Sequence, residues 1–273
     1  MAGTKSVAGV RSYYERILPF YELEAVSRAH LAFWSGLAKR WRPRRILEVG
    51  AGLGRITEAL GREAPSVGID ISLEMLARAQ SRKRRGSRAS FVAADMRRFA
   101  FARPFDLVVA PSDPFSHLTS LSDRRRALSA VARHLAPAGR FVLEGLHRRR
   151  SDTDFEPRRI RHAGGSLRIE EAWYPVGVGE RWHARYRYTD FAGGRAVRTL
   201  SASFVARAWD PRRIRELFRS CGLAIEMMWG DFDRRPYWSG APRIVVVARP
   251  LSAEAAPASA SSSSPRRNER SSR

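Results

Sequence analysis

Short apolar runs alternate with helix-like stretches along the first half of the chain. Leu23, Val26, His30, Phe33, Trp34, Leu37 and Trp41 recur at helical spacing, which predicts a helix over 22–41 that Pro43 ends. Residues 45–49 then read as a strand, 50–54 as a glycine turn and 55–63 as a helix. A second such unit follows, with a strand over 66–70 and a helix over 73–84 for which Ser72 is the N-cap. Further strands are expected at 90–94 and 105–110, then a helix over 123–135 after Ser122, a tight turn at 137–139 and a strand at 140–146. Strands this short, apolar on both faces and alternating with helices, specify a doubly wound α/β domain around a parallel sheet.

The periodicity changes after 147. Segments 166–174, 181–190 and 195–208 are rich in Tyr, Trp, Thr, Val and Arg with partial period-two alternation. Gly177, Gly179, Gly193 and Gly194 sit between them as turn signals. The chain therefore divides into an N-terminal helical segment (1–42), an α/β core (43–147) and an antiparallel β insertion (148–208). A return to the core follows over 209–251. There Asp210 caps a helix with Pro211 at its first position and Gly222 closing it, and strands at 223–229 and 243–249 form an antiparallel hairpin at the sheet edge. From 252 to 273 Ala, Ser, Pro and Arg dominate, and a disordered tail is expected.

Composition narrows the class. No run approaches the roughly 18 apolar residues of a membrane span, and residues 1–16 show no apolar signal segment, so a cytoplasmic protein is expected. The single cysteine, Cys221, excludes an intrachain disulfide and a multi-cysteine zinc site, and no metal is expected. Lys and Arg total 50 against 27 Asp and Glu, giving +23, spread along the whole length. Only three of the basic residues are lysine (Lys5, Lys39, Lys83). Two readings are open: a polyanionic partner such as nucleic acid, or an arginine-rich codon composition. A nucleic-acid partner is possible but not favoured.

The strongest chemical signal is Glu48-Val49-Gly50-Ala51-Gly52-Leu53-Gly54. Its glycines are spaced Gly-x-Gly-x-Gly, one residue short of the dinucleotide turn, which argues against a pyrophosphate site. Alone it could be a tight strand-to-helix connection. Asp70, 18 residues after Gly52, ends the second strand, where a carboxylate can accept from both hydroxyls of a ribose or cap the next helix. Ser72 already supplies that cap, which favours the ribose. Asp95 and the Met96 backbone N–H follow the third strand, where together they can read an adenine edge. Asp106 opens the fourth strand and is expected to order its start.

These pieces, with Gly68-Ile69-Asp70-Ile71-Ser72, Val92-Ala93-Ala94-Asp95-Met96, Phe105-Asp106-Leu107-Val108-Val109 and Leu135-Ala136-Pro137-Ala138-Gly139, resemble the class I S-adenosylmethionine-dependent methyltransferases. The resemblance covers 45–146 and 210–249. It implies a seven-stranded, mostly parallel Rossmann-like sheet with one reversed strand, and S-adenosylmethionine as the cofactor, released as S-adenosylhomocysteine. Carried over, Gly50, Ala51, Gly52 and Gly54 would line the methionine and ribose, and Glu48 would act near the amino-acid end. Asp70 would hold the ribose hydroxyls, Ile71 would pack on adenine, Asp95 and Met96 would bond its edge, and Ala110 would face the sulfonium. Tyr13 and Tyr14 stand where relatives place an aromatic residue over the cofactor; Tyr14 is the candidate, and packing is the other reading.

Methyl transfer by direct displacement needs alignment and exclusion of water. A general base is needed only if the nucleophile binds protonated. Asp113, His117 and His183 are candidates, and each could equally be a local hydrogen-bonding or core residue. The stretch Pro111-Ser112-Asp113-Pro114-Phe115 lacks the Asn-Pro-Pro-aromatic tetrad of relatives acting on exocyclic or amide nitrogens. In the insertion, Trp173, Tyr174, Trp182, Tyr186 and Tyr188 could form a lid over a small, partly apolar acceptor or the insertion's own hydrophobic face. A small-molecule acceptor is expected; the alternatives are RNA or protein acceptors, or a non-catalytic cofactor-binding module.

Overall fold

The computed structural model describes residues 7–24, 27–146 and 157–251. The tail from 252 and the first part of the insertion, 148–156, lie outside the described residues. In chain order the elements are α1 (Val7–Tyr21), α2 (Arg28–Trp41), β1 (Ile46–Val49), α3 (Arg55–Leu60), β2 (Ser66–Asp70), α4 (Leu73–Ser81), β3 (Ala89–Ala93) and β4 (Phe105–Ala110). A short 3-10 turn (Pro114–His117) leads to α5 (Leu121–His134) and β5 (Leu135–Gly145). The remainder is β6 (Arg158–His162), β7 (Gly165–Pro175), β8 (Arg181–Ala192), β9 (Arg195–Arg207), α6 (Ile214–Arg219), β10 (Leu223–Trp229) and β11 (Ile244–Pro250).

Seven strands form one sheet in the order β10-β11-β5-β4-β1-β2-β3. Only β11 is reversed, antiparallel to both β5 and β10. The sheet is covered on both faces, as its apolar strands require. Successive side chains of β1 show this: Leu47 and Val49 join α5 and α6 through Leu128, Val131 and Phe218, while Ile46 joins α2 and α3 through Trp34, Leu37 and Leu60. Asp106 does order the start of β4, accepting from the backbone N–H groups of Arg44 and Arg45 at 2.9 and 3.1 Å.

Several expected boundaries are corrected. The helix read over 22–41 begins only at Arg28, and residues 22–24 lie outside any helix. Ser27 is the true N-cap of α2, its hydroxyl accepting from the His30 N–H at 3.1 Å, and α1 precedes it as a separate helix. The apolar side of α1 faces the insertion through Tyr13, Ile17 and Phe20, so its spacing does not continue that of α2. Ser120, not Ser122, caps α5 by accepting from the Asp123 N–H at 3.0 Å. The 137–139 turn is an excursion inside β5, which pairs Leu135 with Phe105 before it and Arg140 with Leu107 after it. Asp210 accepts from the Arg212 N–H and orders a turn, after which regular helix begins only at Ile214.

The insertion is a second, four-stranded antiparallel sheet in the order β6-β7-β8-β9. Strand β6 was not expected. Its five residues Arg-Arg-Ile-Arg-His hold one apolar side chain, too few for a visible alternation. Among the described residues, no helix is long and apolar enough to cross a membrane.

Arg124 of α5 ties the two sheets together. It is buried, lies 4.1 Å from the centre of the Trp209 ring, and donates to the carbonyls of Leu118, Ala208 and Arg207 at the end of β9. Arg124→Ala leaves three carbonyls short of a donor and is expected to cost about 3 kcal/mol in urea unfolding. The exposed neighbour Arg125→Ala should change stability by less than about 0.5 kcal/mol.

Candidate functional site

The carboxyl ends of β1, β2 and β4 meet at a crevice, the place where open α/β sheets bind ligands. The glycine turn after β1 is fixed by two bonds: the N–H groups of Gly50 and Ala51 both donate to the Ile69 carbonyl, at 2.8 and 2.9 Å. Asp70 then holds the turn from the end of β2. One carboxylate oxygen accepts from the Gly52 N–H and the other from the Ser72 N–H, both at 2.9 Å. Burial raises the Asp70 pKa and these backbone bonds oppose it.

The crevice brings together six of the expected cofactor residues: Tyr14, Gly50, Gly52, Asp70, Ile71 and Met96. Gly52, with φ +50°, has open space where a side chain would stand, so backbone is bare to whatever the crevice holds. An acid at one end and the apolar Ile71, Met75 and Met96 beside it match a polar ribose joined to a flat base. On these observations the residues fit an adenosine-bearing cofactor.

Five expected residues do not line the crevice. Glu48 turns inward beneath the turn, buried and hydrogen-bonded by the Thr57 hydroxyl, and burial pushes its pKa up to about 8. Gly54 packs instead of binding: a side chain there would strike the Phe91 ring at 2.5 Å. Ala51 is buried against Gly68. Ala110 is wholly enclosed in the core, and Pro111 and Ser112 line the crevice in its place. Asp95 is engaged by Arg97, with contacts of 2.7 to 3.1 Å. Burial would raise its pKa, but the Arg97 bonds outweigh this and hold it low.

The crevice opens into a larger chamber of about 690 Å³, and Tyr14, Tyr21, Ser112 and His117 belong to the walls of both. At this junction Tyr14 Oη and His117 Nε2 are 2.8 Å apart in a hydrogen bond. Burial raises the Tyr14 pKa, so the phenol keeps its proton. Tyr13 belongs to the chamber, edge-on to Phe204. The far wall is the inner face of the insertion sheet, including Trp173, Tyr186, Tyr188 and Phe204.

Strand parity decides the remaining candidates. His183 lies between the buried Trp182 and Ala184 and so projects from the outer face with Arg185 and Arg187, away from the chamber. Tyr174 likewise alternates with the inward Trp173 and is 40% exposed. Trp182 is inner but sits in the insertion's own core, not in the chamber wall. Asp113 borders the chamber, yet its carboxylate is taken by the Trp209 indole N–H and the Leu146 N–H. Burial pushes its pKa up to about 6, with Arg124 opposing.

Sequence reading missed Glu144, Glu24 and Glu171, all in the chamber wall. The two acids on strands carried a signal: Glu144 of β5 closes the apolar run Phe141-Val142-Leu143, and Glu171 of β7 falls on the buried parity between Ile169 and Trp173. Glu144 accepts from His30 and from the Ser112 N–H, both at 2.8 Å, and from Arg243 at 3.1 Å. Among the described residues no cluster could hold a metal ion.

The raised pKa of Glu48 has a thermodynamic consequence. Its folded value of about 8 lies above the ordinary 4.5, so the folded state keeps a proton that the unfolded chain releases. Its stabilising contribution is full below the ordinary value and is lost as pH rises toward the folded value. Glu48→Gln cannot titrate, so it should gain stability over wild type between about pH 5 and about pH 8, by up to a few kcal/mol. Thermal melts across that window check this, and a constant difference would contradict it.

Residues 46–139 match the methyltransferase domain family. YqeM of Bacillus subtilis (strain 168) is 26% identical over 196 residues, which make up 70% of this chain and 78% of that protein. The structure is similar to an S-adenosylmethionine-dependent methyltransferase from Clostridium acetobutylicum ATCC 824, with a TM-score of 0.72 at 15% identity over 89% of this chain and 99% of that one. It is also similar to CalS10, an amino pentose methyltransferase from Micromonospora echinaspora whose structure holds S-adenosylmethionine, with a TM-score of 0.67 at 23% identity over 87% and 98% of the two chains. Over residues 46–139 the chain thus carries a match to a methyltransferase domain, and its seven-stranded sheet has the fold of solved S-adenosylmethionine-dependent methyltransferases.

Proposed function

We propose that the protein binds S-adenosylmethionine in the crevice and methylates a small molecule held in the chamber. The observation that carries this reading is the shared wall of Tyr14, Tyr21, Ser112 and His117, which makes crevice and chamber continuous. The cofactor, when bound, supplies an electrophilic methyl group. Asp70 takes the ribose hydroxyls, the bare backbone at Gly50 and Gly52 admits the sugar and amino-acid part, and Ile71 and Met96 enclose the base. Tyr14 and Tyr21 cover the junction and exclude water, so the acceptor approaches only from the chamber.

His117 is the group placed to take the acceptor's proton, at Nε2. With the Tyr14 phenol protonated, that nitrogen is the acceptor of their hydrogen bond, and the phenol can pass its proton inward as it receives another. Asp113 serves the backbone and His183 faces away, which leaves His117 as the base. The small-molecule class is supported by the concave chamber with aromatic residues in its wall, and by CalS10, an amino pentose methyltransferase.

Calorimetry with S-adenosylhomocysteine tests the cofactor assignment. Asp70→Asn should weaken binding about tenfold or more, while Asp106→Asn, at the opposite end of the sheet, should not. Unchanged affinity in Asp70→Asn would remove that residue from the cofactor site. His117→Gln should keep cofactor affinity but slow transfer of a labelled methyl group to a metabolite extract by about a hundredfold. Equal rates for this variant and wild type would exclude His117 as the base.

A further inference from the structure

We infer that Arg243 selects and orients the acceptor: its free Nη2 edge binds an uncharged oxygen, hydroxyl or carbonyl, on the molecule held in the chamber. This deepens the function proposed above and rests on the chamber being the acceptor site.

The guanidinium is held on three sides. Its Nη1 donates to Glu144 Oε1 at 3.1 Å, and its Nε lies 2.9 Å from Asp231 Oδ1. Its central carbon stands 3.9 Å from the centre of the Phe232 ring. Nη2 is the nitrogen left over. It has no partner among the described residues and is not sealed from solvent, and Arg243 is part of the chamber wall. Arginine carries five N–H groups in a planar fork, and two of them are on this nitrogen. Donors fixed in place beside a cavity recognise a ligand at low cost, because the fold has already ordered them.

The hold extends across the molecule. Arg243 ends the connection 230–243 between β10 and β11. That connection folds back on itself, with the Gly230 N–H donating to the Arg235 carbonyl at 2.9 Å and the Arg243 N–H to the Gly230 carbonyl at 3.3 Å. Phe232 seats it on α2, its ring centre 5.1 Å from that of His30 and 4.9 Å from that of Phe33. Glu144 then links Arg243 to the junction. One of its oxygens takes Arg243, and the other takes His30 and the Ser112 N–H, both at 2.8 Å. Burial would raise the Glu144 pKa, but these donors hold it low, so the carboxylate stays ionised opposite the guanidinium. Ser112 belongs to the walls of both cavities. One carboxylate thus sets the span between Nη2 and the junction. An acceptor oxygen seated on Arg243 fixes which other atom of that molecule reaches the methyl group.

The chemistry of the occupant follows from the same contacts. N–H donors ask for a lone pair, which a hydrocarbon lacks. The positive charge is already shared by Glu144 and Asp231, so a third carboxylate would meet their repulsion. A hydroxyl or carbonyl oxygen gains a charge-assisted bond without bringing a charge of its own.

The test uses the whole protein saturated with S-adenosylhomocysteine and three probes of nearly equal shape, titrated by ligand-observed NMR: acetophenone, α-methylstyrene, in which a methylene group replaces the carbonyl oxygen, and benzoate. The readout is the ratio of acetophenone affinity to α-methylstyrene affinity, compared between variants so that the different hydrophobicity of the probes cancels. Arg243→Met, which has no donor, should lower that ratio about tenfold. Arg243→Lys keeps a cation between the two carboxylates but loses the fork, and should lower it likewise with the melting temperature and S-adenosylhomocysteine affinity unchanged. Benzoate should bind the wild type no more tightly than acetophenone. A ratio unchanged in both variants, tighter binding of benzoate, or binding of no probe would overturn the inference. Failure of the underlying functional reading would show separately, as absent S-adenosylhomocysteine binding in the wild type.

Discussion

The site depends on one carboxylate placed between two backbone amides. Asp70 leaves the end of β2 with its charge largely buried, an arrangement that is costly unless the charge is hydrogen-bonded. The N–H groups of Gly52 and Ser72 meet that need. The same bonds fix the glycine turn relative to the neighbouring strand and start α4 in the right direction. A carboxylate held this way is already oriented before any ligand arrives. The crevice is thus a by-product of solving a solvation problem in the fold, and the carboxylate that shapes it still has lone pairs to spare.

The second constraint is the apolar inner face of the insertion. A four-stranded antiparallel sheet standing alone must cover one side, and here the cover is α1, through Tyr13, Ile17 and Phe20. The coverage is incomplete, and the remainder is the chamber. This makes α1 a shared element: Leu18 packs with Leu53 and Met75 of the α/β core, while Tyr13 packs with Phe204 of the insertion. Tyr14, between them, meets both cavities. The N-terminal helix therefore borders two cavities with one amphipathic surface, which explains why aromatic side chains crowd its middle and last turn.

What was legible in the sequence follows from which forces are local. The doubly wound sheet was readable because β1 and β4 are buried on both faces and advertise it as continuous apolar runs. Asp70 was readable because a strand end, a glycine turn and a separate cap all lie within a short stretch. The errors came from competition among partners distant in sequence. Asp95 sits at the expected place, but Arg97, itself shared with Asp123, engages it. Gly54 serves the packing of Phe91, and Ala110 is one residue short of the crevice because β4 runs on into the core. His183 and Tyr174 were chosen by residue type, whereas their direction was set by strand parity, which the intermittent alternation of the insertion concealed.

The segment joining crevice and chamber is strained, and the strain is matched by specific bonds. Ser112 and Asp113 both adopt left-handed backbone, with φ of 57° and 47°, at a cost of order 1–3 kcal/mol each for residues with side chains. Glycine at either position would relieve it. The side chain of Asp113 cannot be spared, however, because it binds Trp209 and the Leu146 N–H and so anchors the end of β5. Ser112 is held from the other side, its N–H donating to the half-buried Glu144, which His30 and Arg243 also grip. Burial alone would raise the Glu144 pKa, but these donors keep it low and the acid ionised. A flexible glycine would let this loop relax into either cavity. Two strained residues clamped from both flanks instead keep Pro111, Pro114 and His117 at fixed depth, and a fixed wall is what an aligned displacement requires.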